Sequence, residues 1–338
     1  MAITMAITIV EVAKQAGVSI GTASVVLNNK KSTIRVSRET KKRIRNVARG
    51  LNYRPNIMAR GLRLKKSGLI GVVSSGIETS FYPKIIQGIE DVTNKFNYSL
   101  ILCTTEGKRE KEESSVRLLV AKKVDGVIVI PIMGDVNLQL FYDLQKSKFP
   151  CVFVAGYLKG VPIPYVLVDG VLIGYQATKH LIELGHQNIA CLGVDNKQDG
   201  RFEGYRKALK KFRITFNDDF FVDACSNWDS GYQGIQKLLL RKIKFTAVYA
   251  YDDRTALGAL AALKEKGLSV PEDVSLVGSD DLDFSAMVTP SLTTVAQPKY
   301  EQGKLAAEKL FRLINGGRVR SAVLKPELKV RRTTKRIG

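Results

Sequence analysis

Residues 8–28 read TIVEVAKQAGVSIGTASVVLN, and no other run narrows the possible folds so far. Thr8 and Glu11 have the spacing of a capping box, in which a hydroxyl and a carboxylate satisfy free backbone N–H groups at a helix start. Val12, Ala13 and Ala16 then share one face, Gly17 tolerates a positive φ, and Ser19 can cap a second helix. That helix is expected over residues 20–28. Its Ala23, Val26 and Leu27 can pack on the first helix, leaving Ile20, Gly21, Thr22, Ser24 and Val25 nearer the outside. Two short helices across a Gly-containing turn make a helix-turn-helix, whose second helix enters the DNA major groove. The spacing alone suits any capped helix pair equally well.

Charge separates these readings. Residues 1–66 hold 15 lysines and arginines against Glu11 and Glu39, a surplus of 13 within a chain total of +21. The excess sits where the helix pair lies, as expected of a surface that neutralises phosphates. A third helix is expected after Ser37, with Ile44, Val47, Ala48 and Leu51 at helical spacing, so that three helices share a small core. Asn52-Tyr53-Arg54-Pro55 breaks that pattern. Residues 56–62 (NIMARGL) can form a short linker helix, marginal alone in water, before the polar stretch 63–67. The chain opens with MAIT twice, at Met1–Thr4 and Met5–Thr8, which reads as a duplicated start; residues 1–4 are left out of the expected fold.

From Gly68 the texture changes to apolar runs alternating with helical stretches: LIGVV, YSLILC and DGVIVI, then NIACLGV, AVYAY and DVSLVGSD after residue 185. This βαβ rhythm implies two doubly wound parallel-sheet units, with ligands expected beyond the carboxyl ends of their strands and in the cleft between them. With 338 residues and 45% hydrophobic content the chain is expected to be globular. No run approaches the roughly 18 apolar residues of a membrane helix, and no basic start precedes an apolar core, so a cytoplasmic protein, nucleoid-associated when on DNA, is expected. Cys103, Cys151, Cys191 and Cys225 lack paired spacing and read as reduced thiols. His180 and His186 are the only histidines, and neither a metal nor another cofactor is expected. There is no G-x-S-x-G and no P-loop, and Asp280 and Asp281 do not form an acid and base across a site, so an enzyme is not expected.

The stretches TIVEVAKQAGVSIGTASVVLN, VSRETKKRI, LNYRPNIMARGL, VDGVIV, HLIELGHQNIACLG, GRFEGYRKAL, DDRTALGAL, VPEDVSLVGSDD and TPSLTTVAQP follow one another in the order found in the LacI/GalR family of transcriptional regulators. The chain resembles that family over nearly its whole length. The resemblance implies an all-α helix-turn-helix head (5–54), a hinge helix and linker (55–67), and a core resembling periplasmic binding proteins (68–338). The core would divide into an N-subdomain of about 68–183 plus 294–332 and a C-subdomain of about 186–290. It also implies a homodimer that binds a pseudo-palindromic double-stranded DNA operator, with affinity set by a small molecule, a sugar or sugar derivative, in the cleft. Whether that molecule induces or corepresses stays open. A solute-binding protein with a vestigial basic head is the alternative.

By the same resemblance, Ile20, Gly21 and Val25 occupy base-reading positions. Thr22, Ser24 and Asn28 would meet phosphates, and Arg35 a base or a phosphate. Thr8 and Tyr53 complete the expected contacts of the head. The apolar base-reading set can meet a thymine methyl but carries little hydrogen-bonding information. Leu62 matches a minor-groove wedge, with Asn56 and Ala59 on the same short helix and Arg63 near phosphates; a plain linker anchor is the other reading. In the core, Phe81, Tyr82, Asp169, Arg201, Trp228, Asp252 and Asp280 match effector-facing positions. Arg201 with Asp280 can instead be an interdomain salt bridge, Trp228 rim packing, and Asp253 a helix-start residue. Gly170 replaces the Asn that usually follows Asp169.

Overall fold

The expected head helices follow from local chemistry. In the computed structural model, which describes residues 7–27, 35–53, 66–78, 80–132, 138–195, 199–224 and 227–337, α1 (Ile9–Gln15) starts with both halves of the capping box formed. The Thr8 N–H donates to Glu11 Oε2 at 2.6 Å, and the Glu11 N–H reaches Thr8 Oγ1 at 3.5 Å. Gly17 takes φ +62°, turning the chain into α2 (Ile20–Leu27), where Ser19 Oγ accepts the Thr22 N–H at 3.1 Å. Ser37 caps α3 (Arg38–Gly50) in the same way through Thr40. Val12, Ala13, Ala16, Ala23, Val26, Ile44 and Ala48 form the shared core. Arg43 Nε donates to the Ala16 carbonyl at 3.1 Å and so ties α3 to the end of α1. These residues lie in one compact unit, 1–67; residues 68–338 form a second.

The second unit contains two six-stranded sheets. In the first, β1 (Leu69–Ser74), β2 (Ser99–Thr104), β3 (Gly126–Val129), β4 (Cys151–Val154), β5 (Tyr165–Val168) and β11 (Ala322–Leu324) run in the order β11-β5-β4-β3-β1-β2, every neighbouring pair parallel. In the second, β6 (Ile189–Gly193), β7 (Phe221–Asp223), β8 (Ala247–Ala250), β9 (Ser275–Asp280), β10 (Thr293–Ala296) and β12 (Glu327–Lys329) run β12-β10-β9-β8-β6-β7. There only the β10–β12 pair is antiparallel. Strands β3, β4, β6 and β8 are buried throughout, which is why they read as unbroken apolar runs rather than alternating ones.

Each sheet carries a core on both faces. Ile70 and Val72 pack under α4 (Phe81–Lys95) and α11 (Lys299–Ile314), while Val73, Val127 and Phe153 face α5 (Arg109–Ala121) and α6 (Leu138–Lys146). In the second sheet Leu192, Val248 and Leu276 pack under α9 (Trp228–Leu240) and α10 (Asp253–Glu265). On its other face Cys191, Tyr249 and Val277 pack with α7 (Gly170–Glu183) and α8 (Arg201–Lys211).

This packing corrects the expected subdomain limits. An N-subdomain ending near 183 would include α7, but its Ile173, Ala177 and Leu181 bury against Ile189, Cys191 and Val295 of the second lobe. Likewise β10 and β12 belong to the second sheet, although residues 294–332 were expected in the first. The chain therefore crosses between lobes three times: after β5, after β10 and between β11 and β12. The apolar period of a helix marks its buried face and does not say which sheet that face covers.

Candidate ligand cavity and nucleic-acid interface

On the head, Ile20 is 50% exposed and Gly21 is exposed, whereas Thr22, Ser24 and Val25 are half-buried. Thr22 Oγ1 is engaged with Ser19 Oγ at 2.9 Å. Thr8 is exposed at the start of α1, where its hydroxyl serves the capping box. Tyr53 packs against the head core, and burial pushes its hydroxyl up. Arg35 is exposed, as are Arg38, Lys41, Lys42, Arg45 and Arg49 of α3, which faces solvent with Glu39 as its only acid. Asn28, Asn56, Ala59, Leu62 and Arg63 lie outside the described residues.

Within the second unit, the carboxyl ends of both sheets border a cavity of about 410 Å³. From the first lobe come Phe81 and Tyr82, whose rings meet edge to face at 5.3 Å, together with Pro131 and Tyr157. Opposite stand Asp199, Arg201, Tyr251, Asp252, Arg254 and Asp280. Both lobes turn the ends of their strands toward this space, as doubly wound sheets do at ligand sites.

Arg201 organises the polar wall from the first position of α8. Its Nη1 donates to the Tyr251 carbonyl at 2.7 Å, its guanidinium lies 4.4 Å from the centre of the Tyr251 ring, and Asp199 and Asp280 each approach to 3.5 Å. Arg201 Nε meets Asp199 as an ion pair without hydrogen-bond geometry. Burial works against its charge; Asp199, then Tyr251 and Asp280, outweigh that and hold the guanidinium ionised. Burial pushes the Asp280 carboxyl up, and Arg201 opposes it. Gln297 Nε2 donates to Asp280 Oδ1 at 2.6 Å. Arg201 and Asp280 are ion-paired in the cavity wall, but both belong to the second lobe, so the expected interdomain salt bridge is instead a pair within one lobe.

The acidic residues near the helix starts divide by role. Asp252 caps α10, accepting the Thr255 N–H at 2.8 Å, and lines the cavity. Asp253 turns inward, accepting from the Leu282 N–H, Ser285 Oγ and Thr294 Oγ1 at 2.8, 2.6 and 2.5 Å; burial, then Asp280, push its carboxyl up to about 7. Asp169 caps α7 through the Leu172 N–H at 2.9 Å, and the wall at that bend is made by Val168 and Gly170 instead. A Cβ on Gly170 would lie 1.7 Å from the Asp199 carbonyl oxygen, so the close approach of α7 to the start of α8 requires glycine there. Trp228 is 44% exposed and stacks on Tyr232 at 5.1 Å, away from the cavity wall. The wall also holds Asp199, Tyr251, Arg254, Gln297 and Gln302, which the resemblance does not mark. Tyr251 follows β8 directly, and the rule about strand ends would have reached it.

Among the described residues no helix is long and apolar enough to cross a membrane. Cys103, Cys151 and Cys191 are free thiols; Cys225 lies outside the described residues.

Comparison with known proteins agrees with this architecture. The model for bacterial regulatory proteins of the lacI family matches residues 8–56, and that for a periplasmic binding protein-like domain matches residues 178–334. The HTH-type transcriptional regulator RegA of Clostridium saccharobutylicum is 37% identical over 316 residues, covering 92% of this chain and 93% of its own length. The structure of the Lac repressor dimer bound to operator and the anti-inducer ONPF superposes with a TM-score of 0.85 at 29% identity, covering 98% of this chain and 99% of that one. The complex of the transcriptional regulator CelR with cellobiose gives a TM-score of 0.72 at 29% identity, covering 97% and 99%. These relatives are regulators rather than enzymes. A capped helix-turn-helix with a basic surface, followed by two doubly wound lobes around a cavity with one aromatic and one charged wall, is therefore a DNA-binding transcriptional regulator, and the chain belongs to the LacI family.

Proposed function

We propose that this regulator is a dimeric repressor whose affinity for a pseudo-palindromic operator is set by a carbohydrate effector held in the cavity between the two lobes. The carrying observation is the composition of that cavity, with paired aromatic rings on one lobe and an ion-paired arginine among carboxylates on the other. Aromatic rings suit the apolar faces of sugars, and carboxylates with arginine suit vicinal hydroxyls. The cellobiose held by one relative and the operator-bound dimer of another support the same reading.

A ligand bridging the lobes favours their closed arrangement by its differential affinity, and coupling to DNA follows if the closed and open dimers present their heads differently. Base recognition would combine Ile20, Gly21 and Val25 with Arg35, while the Leu62 wedge and DNA deformability carry much of the specificity. The test is selection of DNA from a random pool by the full chain, with and without a panel of sugars. Enrichment of a palindrome whose retention changes with one sugar supports the proposal; failure to enrich any palindrome overturns it.

A further inference from the structure

Among the described residues, Gln302 and Arg254 of the cavity wall lack the protein partners their chemistry asks for. Gln302, in the first turn of α11 on the first lobe, is fully buried, and neither its Oε1 nor its Nε2 has a hydrogen-bond partner among the described residues. Buried amides are nearly always paired, because losing water without replacement is costly. From the second lobe Arg254 lines the same cavity, half-buried in the first turn of α10. A cation in that turn opposes the helix dipole and is not placed there for helix stability. Nearby acids serve other partners: Asp253 receives Leu282, Ser285 and Thr294, and Asp199 and Asp280 flank Arg201. Arg254 has no carboxylate within ion-pair distance among the described residues.

The two groups ask for different chemistry. An amide that both donates and accepts matches a sugar hydroxyl, which does the same. A guanidinium with no counter-ion among the described residues matches an anion, most strongly through paired N–H donors. The charge of Arg201 is already balanced by Asp199 and Asp280, and its Nη1 is taken by the Tyr251 carbonyl. Resting on the reading of this cavity as the effector site, we infer that the effector is an anionic carbohydrate whose phosphate or carboxylate binds Arg254 while a ring hydroxyl pairs with Gln302. The cavity, about 410 Å³, is of a size for a small ligand of this kind.

The test is calorimetric titration of the full chain with glucose, galactose, mannose and ribose, each as the free sugar and as its terminal phosphate, and with glucuronate and galacturonate. At least one anionic form is expected to bind on the order of ten-fold or more tightly than its neutral parent, and Arg254→Gln should remove that preference. Arg254→Lys keeps the charge without the paired donors and should keep part of it. Gln302→Leu should weaken anionic and neutral forms alike. Phosphates alone or uronates alone gaining from Arg254 identifies the source of the anion. Equal binding of neutral and anionic forms, or a preference that survives Arg254→Gln, overturns this inference and leaves the effector reading standing. Binding of no sugar in either form overturns both.

Discussion

The Lys299 ammonium, at the start of α11 in the first lobe, donates to the Asp281 carbonyl oxygen at 3.0 Å, just past the end of β9 in the second. It also reaches the Asp280 carbonyl oxygen. Asp280 and Asp281 both have positive φ, 105° and 51°, a conformation that costs a non-glycine residue of order 1–3 kcal/mol. The carbonyl oxygens turned out by this bend are satisfied by a buried cation from the opposite lobe. Arg331 meets the Asp281 side chain at 2.5 Å, completing the clasp.

Replacing Lys299 with methionine keeps much of the volume and leaves those carbonyl oxygens unpaired. The expected cost is about 1–3 kcal/mol of core stability, read from urea denaturation of the full chain. An unchanged midpoint would show that the clasp contributes nothing.

Glu112, on α5, is buried and accepts the Ile132 N–H at 2.8 Å; burial pushes its carboxyl up to about 7. Folded Glu112 then holds its proton where the unfolded chain has lost it. Its stabilising contribution is complete below the ordinary carboxylate range and is lost as pH rises toward 7. Asp253, also raised to about 7, adds to the same slope. Glu112→Gln keeps an acceptor for Ile132 and should flatten the fall in stability between pH 5 and 8, gaining on the order of 2 kcal/mol over the parent at pH 8. Parallel curves for the two proteins would contradict this.

Thr8→Ala removes one side of the capping box and should cost α1 about 1 kcal/mol. Amide hydrogen exchange on α1 should accelerate several-fold, with α10 as an unaffected reference. Exchange that stays the same would mean that packing of Val12 and Ala13 holds the helix start without its cap.

Leu62→Ala is expected to lower affinity for a selected operator far more than for unrelated DNA, because a wedge works only where the base step yields. Fluorescence anisotropy at one salt concentration measures both. Equal losses would make Leu62 an anchor of the linker.

Legibility in the sequence followed the range of the forces involved. Short-range signals carried the head, since the hydroxyl of Thr8, the φ of Gly17 and the cap at Ser19 act within a few residues. Buried strands announced themselves by composition. Sheet membership did not, because α7 and β10 satisfy the same local pattern in either lobe. In the site, Arg201 and Asp280 followed from the resemblance, and the geometry brings them together. Asp169 and Trp228 lie outside the cavity wall, in a helix cap and a surface stack. Arg254 and Gln302 were hidden because a charge in a first turn reads as solvated and a glutamine in an amphipathic helix reads as surface. Only the surrounding walls show that they lack partners among the described residues.

The three crossings between lobes have a mechanical consequence. A single connection would let the lobes swivel and tilt in many directions, whereas three side by side resist twist and shear and leave one bending motion soft. A ligand held between the lobes would therefore act chiefly on one angle. Ligands of different size would alter how often the lobes are shut rather than the path by which they shut.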